Sequence, residues 1–394
     1  MTNDAACRQP KVLNDRNLIF VTAASVFLPY PLTGVILICL AVFLLCNPRT
    51  RGRIFVHAGS KALLPFFALA LVVPLLYRNW LGLLGGLGFI FILIIGLFVR
   101  SAMTRDIFEH MVTLICLLSV PITIVAMIEM LLMQPHFEGL YRCSVVFMNP
   151  NYLATIMGTV IILCGYKVVS HQGHPFLFYG IALFDLISIY LCGSLFVWVE
   201  VFIGVAALLL LMKRHRMLSA LLLVAGLFCI LLYLFPDLIP RLSESRITTE
   251  RREEIWLMAL RMIGSAPLFG HGLLSYHFLY PNYPDSYPTL HAHSIYLDPL
   301  LNFGIVGTVL LLIYFVMYYR KIRLCIKENA CPKIASVICA LTLATLVHGI
   351  TDITVLWIQT GLLFILLMGG LGACERNLIR KNHAADSGAA PPAA

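Results

Sequence analysis

Residues 16–49 read RNLIFVTAASVFLPYPLTGVILICLAVFLLCNPR, and the fold turns on whether this stretch is one apolar helix or two. As a single helix it would set Arg8, Lys11 and Arg16 across a membrane from Arg49, Arg51, Arg53 and Lys61. That opposes the bias of Lys and Arg toward cytoplasmic loops. Pro29-Tyr30-Pro31 offers a break, because proline removes a backbone donor and disfavours helix in the residue before it. Two short helices joined outside put both clusters on the cytoplasmic side.

Outward from there, apolar segments run over 18–28, 32–46, 63–77, 81–99, 107–133, 151–169, 176–192, 195–212, 217–235, 294–319, 334–355 and 357–374. The reading is an all-α, polytopic membrane protein of about twelve transmembrane helices, several of them shorter than the roughly 20 residues a perpendicular span asks for. Composition agrees: 60% of the 394 residues are hydrophobic and 12% charged, against roughly 25% charged in a soluble domain. Of the 28 Lys and Arg, only Arg78, Arg142, Arg241, Arg246, Arg251, Arg252 and Arg261 then fall outside, and both termini are expected in the cytoplasm. The net charge of +9 follows from those cytoplasmic loops, not from a nucleic-acid surface.

The basic N-terminal stretch followed by an apolar run resembles a signal peptide. The run continues too far and lacks a small-x-small cleavage site, so a retained first helix is expected. Twelve cysteines suggest a disulfide framework only by number. Cys39, Cys46, Cys116, Cys164, Cys229 and Cys339 lie in apolar runs, where cysteine behaves as a small hydrophobe. No CxxC or CxxH spacing points to zinc or redox chemistry.

Four regions are expected: helices over 1–235, a catalytic loop over 236–293, helices over 294–375, and a disordered cytoplasmic tail over 376–394. Long ordered loops commonly carry function. In this one, Thr248 or Thr249 is positioned to cap a helix with Glu250, Glu253 and Glu254 near its start. Ile255, Trp256, Ala259, Leu260, Met262 and Ile263 give it an apolar stripe. Pro267 and Gly270-His271-Gly272 stop it, and a Tyr/Pro-rich strip from Tyr276 to Pro288 suits a membrane–water interface. The loop ends on His291-Ala292-His293-Ser294, where an imidazole near several Arg could serve as a general base. Charged groups inside spans are costly and count as functional candidates: Glu129, Asp185, Glu200, His348 and Asp352. His348 and Asp352, four residues apart, are expected to satisfy each other.

Several pieces in order resemble one family. They are Arg252-x-x-x-Trp256, Pro267-Leu268-Phe269-Gly270-x-Gly272, His291-x-His293-Ser294-x-Tyr296-Leu297 and Phe303-Gly304-Ile305-Val306-Gly307. Asn149-Pro150-Asn151-Tyr152 upstream and His348-Gly349-Ile350-x-Asp352 downstream extend the set. Together they resemble the O-antigen ligase and O-antigen polymerase superfamily. The resemblance implies transfer of a glycan from an undecaprenyl-pyrophosphate carrier to a hydroxyl on lipid A core, a growing glycan or a protein. It implies an inverting reaction at the outer face of the bacterial cytoplasmic membrane, with no metal and no cofactor. Carried over by residue, His293 is the base with His291 as fallback, and Arg252 binds pyrophosphate. Asn149, Asn151, Trp256, Glu200, His348 and Asp352 are supporting candidates.

One departure stands out. The family commonly has Ser-Arg-Gly at an outer helix start, whereas Ser194 here is followed by Leu195-Phe196-Val197-Trp198. Either Arg142, Arg246 or Arg251 replaces the missing arginine, or the donor contact differs from that of the better-known ligases. A rival reading, a flippase of lipid-linked glycans, would be expected to show internal pseudo-symmetry, which the sequence lacks.

Overall fold

The computed structural model describes residues 14–386, apart from 58, 138, 240 and 243. The opening stretch resolves as the sequence suggests. One helix, Asp15–Ser25, ends before the prolines; the next, Tyr30–Cys46, starts with Pro29 at its N-cap and Pro31 in its first turn. The Thr33 hydroxyl donates to the Ser25 carbonyl at 2.7 Å, using an acceptor the first helix leaves open.

All twelve apolar segments coincide with helices, but not all of these helices are long and apolar enough to cross a membrane by themselves. Eight helices among the described residues are long and apolar enough to cross a membrane, or nine if Tyr30–Cys46 and Pro48–Ile54, bent by 97°, form one span. Asp15–Ser25, Leu195–Leu211 and Pro332–His348 are too short for that test. The segment expected over 334–355 breaks at His348, because the chain turns there to deliver Asp352. Residues 376–386, expected as tail, continue the helix Leu371–Asp386, and 387–394 lie outside the described residues. The eleven described cysteines are all free.

The helix Trp80–Ala102 fixes the two ends of the bundle. Asn79 caps it, its Oδ1 accepting from Gly82 N at 2.9 Å, while its Nδ2 donates to the carbonyls of His271 and Leu273 in the long loop. At the far end Arg100 meets Glu375 at 2.7 Å, and Arg53 bridges Asp15 at 2.7 Å and the Ser101 carbonyl at 3.1 Å. At 1.5 Å per residue these ends are about 35 Å apart, a bilayer's depth. The loop and the cluster of Arg53, Arg100 and Glu375 thus sit at opposite ends of one spanning helix.

The loop folds onto the bundle through the glycine motifs. Gly304, at φ 62° and ψ −170°, interrupts the helix Asp298–Lys327 in a region open essentially to glycine alone. There Ile305 N donates to the Pro267 carbonyl at 2.9 Å, Val306 N to Leu268 at 3.0 Å, and Gly272 N to Asn302 at 2.9 Å. A Cβ on Gly304 would lie 2.3 Å from the Leu268 backbone, and one on Gly270 would lie 2.5 Å from that of Asn302. The two glycine motifs are therefore two halves of one joint.

The loop helix spans Ser245–Ser265 and buries Ile255, Met258, Ala259 and Met262 against Tyr276, Leu279, Ala292 and Leu301. It starts one turn earlier than expected. Thr248 and Thr249 lie inside it, their hydroxyls donating back to the Ser245 carbonyl, so neither is the cap. Leu260, read as part of the stripe, faces outward, and Met258 takes the inner position.

Candidate active site

His293 sits at the end of the loop with φ 49°, a left-handed conformation uncommon outside glycine but one that His, like Asn and Asp, adopts more readily than other side chains. Its carbonyl accepts from Trp256 Nε1 at 3.3 Å, which ties the turn to the loop helix. Two residues on, Ile295 N donates to the Gly349 carbonyl at 2.8 Å, docking the turn against the segment that carries Asp352. A Cβ on Gly349 would lie 2.3 Å from the Ile295 side chain, so the close approach requires glycine there.

The result places His293 Nδ1 3.2 Å from Asp352 Oδ1 and His293 Nε2 3.1 Å from the Thr289 hydroxyl. Burial alone would raise the Asp352 carboxyl. The hydrogen bond from His293 and the charges of His293, His291 and His348 instead hold it well below the ordinary carboxylate range. An ionised carboxylate only accepts, so Nδ1 carries a proton, and in the neutral imidazole the free lone pair is the one on Nε2, toward Thr289.

His291 is placed differently. It is buried, and its Nδ1 accepts from the His293 backbone N–H at 3.2 Å. Its Nε2 lies 4.0 Å from Asp352 Oδ1. Burial and the neighbouring His293 push its pKa down to about 4. The lone pair a base would need is already engaged by backbone.

The expected pairing of His348 with Asp352 does not form. His348 Nδ1 pairs with Glu200, and Asp352 Oδ2 accepts from Asn151 Nδ2 at 3.0 Å. The bend after His348 separates the i,i+4 pair and sends each side chain to a different helix. Asn149 caps the helix Pro150–Val169, its Oδ1 accepting from Asn151 N at 2.8 Å, which sets Asn151 at the helix mouth.

Beside this cluster lies a cavity of about 100 Å³ lined by Arg142, Arg241, Arg252, Asn151, Ser194 and His348 among others. Arg142 is held firmly. Glu129 accepts from Tyr141 OH at 2.7 Å and Val145 N at 2.8 Å, bracing the loop, and Arg142 Nε donates to the Cys192 carbonyl at 2.8 Å. Arg142 and Arg241 both approach Gly193: a Cβ there would lie 3.6 Å from Arg142 Nε and 3.5 Å from Arg241 Cδ. These two guanidiniums stand at the start of the Leu195–Leu211 helix, where the sequence lacks its arginine. Burial and the like charge of Arg241 lower Arg142 to about 10, and burial lowers Arg252 despite the opposing pull of Asp352. Three guanidiniums thus line one cavity, and Arg241 is itself paired with Glu244 at 3.0 Å.

Arg246 and Arg251 are not brought there. Arg246 pairs with Glu250 at 2.9 Å with 88% of its side chain exposed, and Arg251 lies over the Tyr287 ring at 4.6 Å. Asp185 is buried among hydroxyls, accepting from Ser119 at 2.7 Å and Thr123 at 2.9 Å, and takes no part in the site. Arg241 was expected on the outer side but not at the site, and Thr289 was not singled out. Arg241 had only its outer position as a signal, and Thr289 only its place two residues before His291.

His291, His293 and Asp352 bring three ligand-type atoms within 4.8 Å of one another. Both imidazole Nδ1 atoms are already engaged in hydrogen bonds, and the adjoining cavity is cationic. A second cavity, about 640 Å³ and almost wholly apolar, begins at Ile295 and Ile353, beside the turn that carries His293, and runs along Phe303, Leu312 and Phe315 to Arg323.

Residues 180–312 match the family model described as O-antigen ligase. The match covers about a third of the chain, takes in Ser194, Arg241, Arg252, His291 and His293, and supports the likeness to the O-antigen ligase and polymerase superfamily. No curated protein matches the chain.

Proposed function

We propose, with the O-antigen ligase match as premise, that this protein transfers a glycan from an undecaprenyl-pyrophosphate carrier to a hydroxyl acceptor at the outer face of the bacterial cytoplasmic membrane. The observation that carries this reading is the His293–Asp352 pair standing beside a cavity of three arginines. The acceptor is lipid A core or a growing glycan, and both need the same donor half-site.

In this reading the acceptor hydroxyl takes the place of the Thr289 hydroxyl against His293 Nε2. The acceptor oxygen bonds to the sugar C1 as the bond from C1 to the pyrophosphate oxygen breaks, and the configuration inverts. The acceptor proton passes to Nε2. Asp352 stabilises the imidazolium so formed, and Arg142, Arg241 and Arg252 meet the charge growing on the leaving pyrophosphate. No metal enters the scheme. The apolar cavity beginning at Ile295 and Ile353 suits the prenyl chain of the carrier.

Sidedness follows from charge. The end bearing Arg53, Arg100 and Glu375 holds the basic clusters and faces the cytoplasm with both termini, so the arginine cavity faces out. The test is reconstitution: purified protein in liposomes, given a lipid-pyrophosphate glycan and an acceptor, should form product equally well with chelator present. Product formation that requires an added divalent cation, or a flip of the donor without transfer, would overturn the reading.

A further inference from the structure

The two ends of one amide join the arginine cavity to the base. Asn151 Oδ1 accepts from Arg142 Nη2 at 2.8 Å, and its Nδ2 donates to Asp352 Oδ2 at 3.0 Å. A guanidinium only donates and an ionised carboxylate only accepts, so the orientation of the amide is fixed by its partners. The other oxygen of Asp352 accepts from His293 Nδ1 at 3.2 Å and from Ile353 N at 2.8 Å. An unbroken chain of hydrogen bonds therefore runs from Arg142 through Asn151 and Asp352 to His293 and on to Thr289.

We propose that Asn151 is a positioning residue that couples filling of the arginine cavity to the aim of the His293 base. The inference rests on the transfer reading above and adds a coupling between its two halves. A diphosphate that draws on Arg142 acts on the amide, and the amide acts on the carboxylate that orients the imidazole. Asparagine suits the post because both of its polar ends are used. Aspartate would keep the Arg142 contact but set a second carboxylate against Asp352. Alanine would release both partners. The backbone of residue 151 is already fixed by the Asn149 cap and by Pro150 in the first turn, so the side chain needs no support of its own.

The experiment measures kcat, donor KM and the pH profile of kcat for the wild type, Asn151→Asp and Asn151→Ala, with the full-length protein in liposomes. Asn151→Ala is expected to lower kcat roughly tenfold to a hundredfold, as lost outer-shell partners commonly do, with a smaller change in donor KM. Asn151→Asp, which keeps the shape, is expected to move the acid limb of kcat to higher pH, because a second carboxylate stabilises the imidazolium. The other groups facing His293 are common to every variant: His291, Asp298, Asp352, His348 with Glu200, and the arginines of the cavity. Any shift therefore reads residue 151. A wild-type kcat and pH profile in both variants, or a loss confined to donor KM, would overturn the coupling while leaving transfer intact. Absence of transfer by the wild type would overturn the transfer reading and this inference with it.

Discussion

His293 and Asp352, 59 residues apart in sequence, meet at 3.2 Å where the end of the long loop touches the turn after His348. The contact fixes the imidazole proton on Nδ1 and leaves Nε2 as the basic nitrogen. Asp352→Asn should therefore fail in catalysis rather than in substrate binding. Initial rates are expected to show kcat down on the order of 10²–10⁴-fold, the range of a lost acid–base contribution, with donor KM little changed. A rise in donor KM at constant kcat would place Asp352 in donor binding instead.

The arginines separate by position. Arg142→Ala, Arg241→Ala and Arg252→Ala each remove a guanidinium from the cavity, and each should cost roughly 10²–10³-fold in kcat/KM. Arg246→Ala removes an exposed i,i+4 ion pair, worth at most about 1 kcal/mol of stability, and should leave transfer near the wild-type rate. A full set of four turnover measurements checks the order.

Crowded cations predict a ligand response. Inorganic pyrophosphate should raise the unfolding temperature of the wild type, because binding to the folded state alone stabilises it by about 2.7 kcal/mol at a hundredfold excess over Kd. The shift should shrink with Arg142→Ala and with added salt, as screened charge requires.

Stability should depend on pH through His291. Its pKa falls from 6.5 to about 4 on folding, so the unfolded chain binds the proton more readily. This contribution is complete above pH 6.5 and is lost as pH falls toward 4. Thermal unfolding across that window should show a decline in the wild type that His291→Gln flattens.

Gly304→Ala should destabilise the joint between loop and bundle. The position has φ 62° and a Cβ would lie 2.3 Å from the Leu268 backbone. Backbone strain alone costs roughly 1–3 kcal/mol, so a lower unfolding temperature and easier proteolysis of the loop are expected.

Much of the frame was legible because it depends on local pattern. Pro29 and Pro31 marked the break, apolar runs marked the helices, and the charges near Glu250 marked the loop helix. The number of full spans was not legible, since bends such as the 97° turn after Cys46 and the stop at His348 are set by packing. The motif glycines announced turns, but not that Gly270 and Gly304 press on each other's backbones. Side-chain partners were hardest. His348 and Asp352 obey helix spacing in sequence, yet a bend gives one to Glu200 and the other to His293. Arg241 had no motif at all; it reaches Gly193 only through the fold, its Nη1 donating to that carbonyl at 3.5 Å.

The central claim is that His293 takes the acceptor proton while the arginines hold the donor. Purified His293→Ala protein, measured side by side for glycan transfer and for binding of the lipid-pyrophosphate donor, tests it most directly. The account predicts transfer lowered on the order of 10²–10⁴-fold with donor affinity retained. Transfer at the wild-type rate would contradict it.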